Sequence, residues 1–251
     1  MLRFNRWRES AYVPGVSRAR ATQLNTANEA FRVLRSNLLV ATGELDHPVV
    51  VVTSAFPKEG KTSTCVSLAE SFAATGARVV LVDLDLRDPD SHRLLGTHNE
   101  IGVSDVLLDQ RTFEDCIQWL EVGVTKHASP AGMYFLAAGP KVASPTELLS
   151  TPRTAKLLEG LAAEADIVLL DAPPVLSVAD TLVIGRLAAG AVLVIEAGRT
   201  PVPAAKRAKD ALTRNQTRLL GVVLNKFKSR LAHSEPGSGD VGYGFGYGGV
   251  E

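Results

Sequence analysis

Cysteine is scarce in this chain of 251 residues: Cys65 and Cys116 are the only two, they form no C-x-x-C, and they are too few for a disulfide framework. Both are expected to be packing residues in a reducing compartment. Long apolar runs are missing too. No stretch approaches the ~18 consecutive apolar residues of a membrane-spanning helix, and the opening MLRFNRWRES lacks the apolar segment of a secretory leader. A cytoplasmic location is therefore expected. Neither charge is in excess, since 27 basic residues face 27 acidic ones, so no global field argues for nucleic acid as a partner. There is no internal repeat. What the chain does have is apolar bulk: with 45% hydrophobic residues it can bury the core of one large α/β domain.

Residues 1–23 carry Arg3, Arg6, Arg8, Arg18 and Arg20 against one acid, Glu9, and read as a basic flexible arm. Thr26 and Glu29 spell a capping box for a helix that places Phe31, Leu34 and Leu38 on its apolar side and ends at Gly43. Six short, β-branched blocks follow, at 49–54, 79–83, 133–137, 167–171, 191–196 and 219–224, and all six read as buried parallel strands. The intervals 62–75, 104–119, 146–164, 177–188 and 202–215 are long enough for crossover helices. The expected fold is a doubly wound α/β domain over residues 24–228, a mostly parallel sheet with helices on both faces and ligands at the carboxyl ends of its strands. Residues 229–251 are rich in glycine with interleaved aromatics and read as a flexible tail.

Four places carry chemistry. VVVVTSAFPKEGKTSTC, residues 49–65, runs from a strand through a loop into a helix, the context of a phosphate-binding loop. Ala55 stands where the usual pattern has its first glycine, but Gly60 is the position at which a missing side chain lets backbone approach phosphate. The residues expected to bind nucleotide are Lys58, Glu59, Gly60, Lys61, Thr62 and Ser63, with Lys61 reaching the β- and γ-phosphates and the Thr62 hydroxyl binding Mg²⁺. VVLVDLDLR ends a strand with Asp83 and Asp85 on one side of it, followed by Arg87. Two such carboxylates are buried cheaply only if a cation or proton accompanies them. ADIVLLDAPPV ends a strand at Asp171, which suits a Walker B acid beside Mg²⁺. Asn225, at the end of GVVLNKF, has an amide able to read adenine, although a turn role serves as well.

Taken together, SAFPKEGKT, LVDLDLRDP and IVLLDAPP resemble the Walker A, A′ and B motifs of the bacterial protein-tyrosine kinases of capsule and exopolysaccharide synthesis. EAFRVLRSNL, HRLLGTHNEIGVSDVL, FLAAGPKVASPTELLS and GVVLNKF extend the resemblance over residues 27–251. It implies a P-loop kinase using ATP and Mg²⁺, in which Asp83 helps deprotonate the acceptor tyrosine while Asp85 and Asp171 organise the metal, with Lys61, Asp83 and Asp85 as the catalytic set. It also implies autophosphorylation of the tail tyrosines, here Tyr243 and Tyr247, and an activating membrane-anchored partner of the chain-length-determinant type. That partner is expected to be a separate chain that recruits this one to the inner face of the membrane. A homo-oligomeric ring closed through E-x-x-R-x-x-R is implied as well, here Glu29, Arg32 and Arg35. Two departures stand out: Lys58 replaces a usual glycine and Asp88 a usual basic residue.

Two rival readings share the fold. A partitioning or site-selection ATPase carries a lysine at the position of Phe56, which disfavours that class. An inactive nucleotide-loaded scaffold is disfavoured by the intact Lys61, Thr62, Asp83, Asp85 and Asp171.

Overall fold

The structure, a computed structural model, describes residues 25–43, 45–124 and 130–227. The basic arm and the tyrosine-bearing tail lie outside these residues, as do the side chains of residues 25–28, and with them the Thr26 half of the capping box. In chain order the elements are α1 (Asn25–Thr42), β1 (Val49–Ser54), α2 (Lys61–Ala73), β2 (Val79–Asp83), α3 (Ser91–Leu95), α4 (Val103–Leu107), α5 (Phe113–Cys116) and β3 (Ile117–Val124). They continue as β4 (Pro130–Leu136), α6 (Pro145–Leu149), α7 (Pro152–Ala162), β5 (Ile167–Asp171), α8 (Asp180–Gly185), β6 (Gly190–Glu196), α9 (Val202–Arg214) and β7 (Leu219–Asn225).

The strands form one sheet in the order β3-β4-β2-β5-β1-β6-β7. Every residue of β1, β2 and β5 is buried, which is why these strands are unbroken apolar runs rather than alternating ones. Alternation still decides which core each residue joins. Val49 and Val51 face one layer with Leu161 and Leu212, while Val50 and Val52 face the other with Leu68, Phe72 and Leu38. The fold is thus the expected doubly wound α/β sheet, a P-loop NTPase arrangement.

Three details differ from the sequence reading. Residues 104–119 are not one crossover helix: α4 and α5 are single turns, and the chain then enters β3, which pairs antiparallel with β4 from Ile117↔Leu136 to Val124↔Pro130. The sheet is therefore not all parallel. The cause is a cross-strand contact invisible to local periodicity, the Trp119 ring packed on Tyr134 with centroids 4.8 Å apart. The interval 146–164 is two helices, α6 and α7, because Pro152 supplies no N–H to continue the first. The interval 177–188 contracts to α8, six residues long.

Sheet order positions the site. β2, β5 and β1 are neighbours, and their carboxyl ends come level, Asp83 beside Asp171 and Asp171 beside Val52. The loop leaving β1 therefore rises directly over the carboxylates that end β2 and β5.

Candidate active site

The phosphate-binding loop is the turn between β1 and α2. Gly60 caps α2 in the left-handed region, at φ 94°, ψ 25°. Beyond it, the first-turn N–H groups of α2, which a helix leaves without intrahelical acceptors, form an anion cradle. The loop is held from three sides. Glu59 is buried; its carboxylate accepts the Phe56 N–H at 2.8 Å and the hydroxyl of Thr200, from the loop after β6. Asn225, at the end of β7, donates from Nδ2 to the Glu59 carbonyl at 2.9 Å, and Lys226 donates from Nζ to the Lys58 carbonyl at 2.7 Å. Ser63 donates to the Gly60 carbonyl at 3.0 Å. Lys58 itself has φ 66°, so the position where the resemblance implies glycine is a left-handed one that lysine occupies with some strain.

Below the loop the acids converge on Lys61. Its Nζ lies 2.8 Å from Asp85 Oδ2 and 3.5 Å from Asp171 Oδ1, and it donates to Thr62 Oγ1 at 3.1 Å. Asp83 is fully buried, and its Oδ1 accepts the Asp85 N–H at 3.1 Å. Asp85 Oδ1 accepts the Asp88 N–H at 3.2 Å, so the loop after β2 folds back upon its own carboxylate. Arg87 then fixes that loop to α8: Nε meets the buried Asp180 at 2.8 Å and Nη2 reaches Thr146 at 2.8 Å.

One ammonium thus faces three buried carboxyl groups. Burial pulls the Lys61 pKa down, but Asp171 and Asp85 outweigh it, and the ammonium is held above the ordinary lysine range. Burial, then the nearby Asp171, pushes Asp83 well above the usual carboxylate range, and burial raises Asp171 against the pull of Lys61. The Ser91 and Thr62 side chains both hydrogen-bond Asp171, and its Oδ1 faces Lys61 at 3.5 Å. Three buried carboxyl groups against one ammonium leave negative charge that a divalent cation entering with a triphosphate would relieve, so the residues fit Mg²⁺. Among the described residues no three His, Cys, Asp or Glu side chains form a protein-only metal cage. Mg²⁺ carried on phosphates does not need one, since it keeps waters and uses one or two carboxylates.

The raised carboxyl groups set a pH dependence. Their folded pKa values exceed their unfolded ones, so the stability they contribute is full below about pH 4, the unfolded value, and is lost as pH rises through the folded values. The nucleotide-free protein is expected to lose this stability as pH rises from about 4 to about 8, and Mg·ADP to raise the melting temperature more at the upper value. Thermal scans at the two pH values check this; an equal ligand-induced gain at both would contradict it.

The sequence-predicted residues sort cleanly. Lys61, Thr62, Asp83, Asp85 and Asp171 meet in one pocket, with Lys58, Glu59, Gly60 and Ser63 in the loop above it. The Asn225 amide is engaged on that loop, and its Oδ1 accepts the Lys226 N–H at 2.8 Å. On α1, Glu29 and Arg32 pair with one another at the surface at 3.1 Å, whereas Arg35 turns inward and donates to the carbonyl and hydroxyl of Ser71 near the end of α2. Thr200, Lys226, Asp180 and Ser91 were not legible as site residues, because their roles depend on contacts made in space, such as Ser91 on Asp171 and Thr200 on Glu59, that no motif spacing encodes. Cys65 and Cys116 are both buried, and burial pushes the Cys116 thiol up to about 11, in keeping with packing roles.

Similarity to known proteins agrees with this geometry. The family model described as AAA domain matches residues 57–199. Tyrosine-protein kinase YwqD of Bacillus subtilis is 37% identical over 210 residues, 84% of this chain and 85% of that protein. Among solved structures, the kinase domain of Escherichia coli tyrosine kinase ETK aligns with a TM-score of 0.77 and 29% identity, covering 91% of this chain and 84% of that one. The chimerical protein CapA2B2 aligns with a TM-score of 0.74 and 26% identity, over 88% of this chain and 94% of that one. The partitioning-ATPase and inactive-scaffold readings give way, and the chain belongs to the bacterial tyrosine-protein kinases of the P-loop fold.

Proposed function

We propose that this kinase transfers the γ-phosphoryl group of ATP to tyrosines of its own tail, Tyr243 and Tyr247, and that it thereby regulates capsular or exopolysaccharide synthesis and chain length. The observation that carries the reading is the convergence of Lys61 with Asp83, Asp85 and Asp171 beneath a well-braced phosphate loop. Phosphoryl transfer is mostly positioning and charge stabilisation, and each group has a part in it. Lys61 leaves Asp85 for the β- and γ-oxygens, where its positive charge offsets the charge that builds on the leaving group. Thr62, Asp85 and Asp171 would hold Mg²⁺, which when bound neutralises phosphate oxygens. Asp83, whose proton affinity burial raises, takes the proton of the acceptor hydroxyl as the ionised carboxylate and becomes the neutral acid.

The tail acts in trans within a homo-oligomeric ring, and each new phosphate, adding about two negative charges near the acids, expels it. Glu29 and Arg32 are the exposed pair on α1 available for that contact. Arg35, engaged on Ser71, supports α2 as well. A membrane-anchored activator brings the kinase to the inner face of the membrane. Val222, Leu224 and Phe227, exposed at and just beyond the open edge strand β7, offer apolar surface to such a partner. No helix among the described residues is long and apolar enough to cross a membrane.

Mixing tests the trans step. Lys61→Met protein, unable to transfer phosphate, should gain phosphotyrosine at Tyr243 or Tyr247 when incubated with the Tyr243→Phe, Tyr247→Phe double variant and Mg·ATP. Arg32→Ala in both chains should abolish that gain and leave monomers by light scattering. No phosphotyrosine on the Lys61→Met chains would contradict transfer in trans.

A further inference from the structure

The loop between β2 and α3 ends at a residue whose role neither motif spacing nor resemblance assigns. Ser91, the first residue of α3, is fully buried. Its hydroxyl donates to Asp171 Oδ2 at 2.9 Å, and its backbone N–H donates to Asp83 Oδ2 at 3.2 Å. One residue therefore touches carboxylates from both acidic strands. With Oδ2 engaged by Ser91, the other oxygen of Asp171, Oδ1, is the one that faces Lys61, at 3.5 Å. The Leu84 N–H adds a backbone bond to the Asp171 carbonyl at 2.8 Å, so the end of β5 is fixed and what remains free is the rotation of the carboxylate.

We infer that Ser91 is a positioning residue: its hydroxyl sets the rotation of the Asp171 carboxylate, so that Oδ1 is presented to the cation that enters with nucleotide. This rests on the Mg·nucleotide reading above. The physical reason is that a buried carboxylate with one oxygen fixed has a single productive orientation, whereas without the serine hydroxyl it can turn Oδ2 toward Lys61 or draw in water. Groups that orient ligands of a metal typically change affinity for it by about 10–100-fold when removed. A role confined to packing would alter nucleotide binding with and without the metal alike.

The experiment titrates Mg²⁺ into the full chain at fixed fluorescent ADP analogue and measures the analogue's affinity with and without the metal. Wild type should bind more tightly as Mg²⁺ rises. Ser91→Ala should keep the metal-free affinity within about twofold while needing about tenfold more Mg²⁺ for half the effect. Ser91→Thr, which restores the hydroxyl, should return toward wild type. Should Ser91→Ala fail to fold, Ser91→Thr and Ser91→Val serve instead, being alike in shape and unlike only in the hydroxyl; the threonine variant should then be the more sensitive to Mg²⁺. An unchanged Mg²⁺ requirement in Ser91→Ala, an equal loss with and without metal, or matching threonine and valine variants would overturn the inference. Wild type that ignores Mg²⁺ would instead overturn the metal reading beneath it.

Discussion

Lys61→Met is expected to lower phosphoryl transfer by about a hundred- to a thousandfold, the scale on which removing one aligned charge donor acts in a dry site. The same change has a second consequence. In the nucleotide-free protein Lys61 is the cation between Asp85 and Asp171, at 2.8 and 3.5 Å, with Asp83 buried behind them. Methionine leaves three buried carboxyl groups without it, and breaking a buried pair from one side costs about 3–5 kcal/mol. Activity must therefore be compared below the variant's melting temperature, and added Mg²⁺ should recover part of the lost stability without recovering transfer. A variant that transfers phosphate at the wild-type rate while folded would show that Lys61 has no part in catalysis.

Gly60→Ala is the second large effect. A Cβ built there would lie 2.0 Å from Asn225 Nδ2 and 3.3 Å from Ser63 Oγ, at a φ of +94° that side chains rarely adopt. The amide cannot simply move aside, because it is bonded to the Glu59 carbonyl at 2.9 Å. Left-handed strain of about 1 kcal/mol and overpacking of about 1–3 kcal/mol should together lower the melting temperature by roughly 5–15 °C, and ADP affinity should fall as the cradle distorts. Adding Asn225→Ala removes the clash but not the strain, so the double variant should recover part of the loss. Gly76 has a similar φ of +86° with nothing within 4 Å of its Cβ, so Gly76→Ala should cost only the strain. Equal losses at Gly60 and Gly76 would mean that the Asn225 contact carries no weight.

These two positions also mark what was legible in the sequence. Gly60 and Lys61 are readable because they open the helix that follows β1, and Asp83, Asp85 and Asp171 because they sit at or just past the ends of β2 and β5, which must neighbour β1 in a doubly wound sheet for a phosphate loop to work. Lys58 was legible as a loop residue expected to bind nucleotide and as a departure from the glycine that the resemblance implies; its φ of 66° is one that favours glycine. β3 was lost because ile-gln-trp-leu carries a helix-compatible pattern until Tyr134 is placed opposite Trp119. Glu59 was legible as loop backbone, not as the carboxylate that ties the loop to Thr200, 141 residues away. Arg35 illustrates the same limit, since the resemblance groups it with Glu29 and Arg32 in a ring contact while packing turns it onto Ser71.

The proposed reaction of this pocket is the making of phosphotyrosine on the chain's own tail. Purified protein incubated with Mg·ATP, followed by mass spectrometry of the tail peptide and by ADP release, tests it most directly. Phosphate on Tyr243 or Tyr247 is predicted in wild type, and none in an Asp83→Asn variant. ADP release without phosphate on either tyrosine would contradict it.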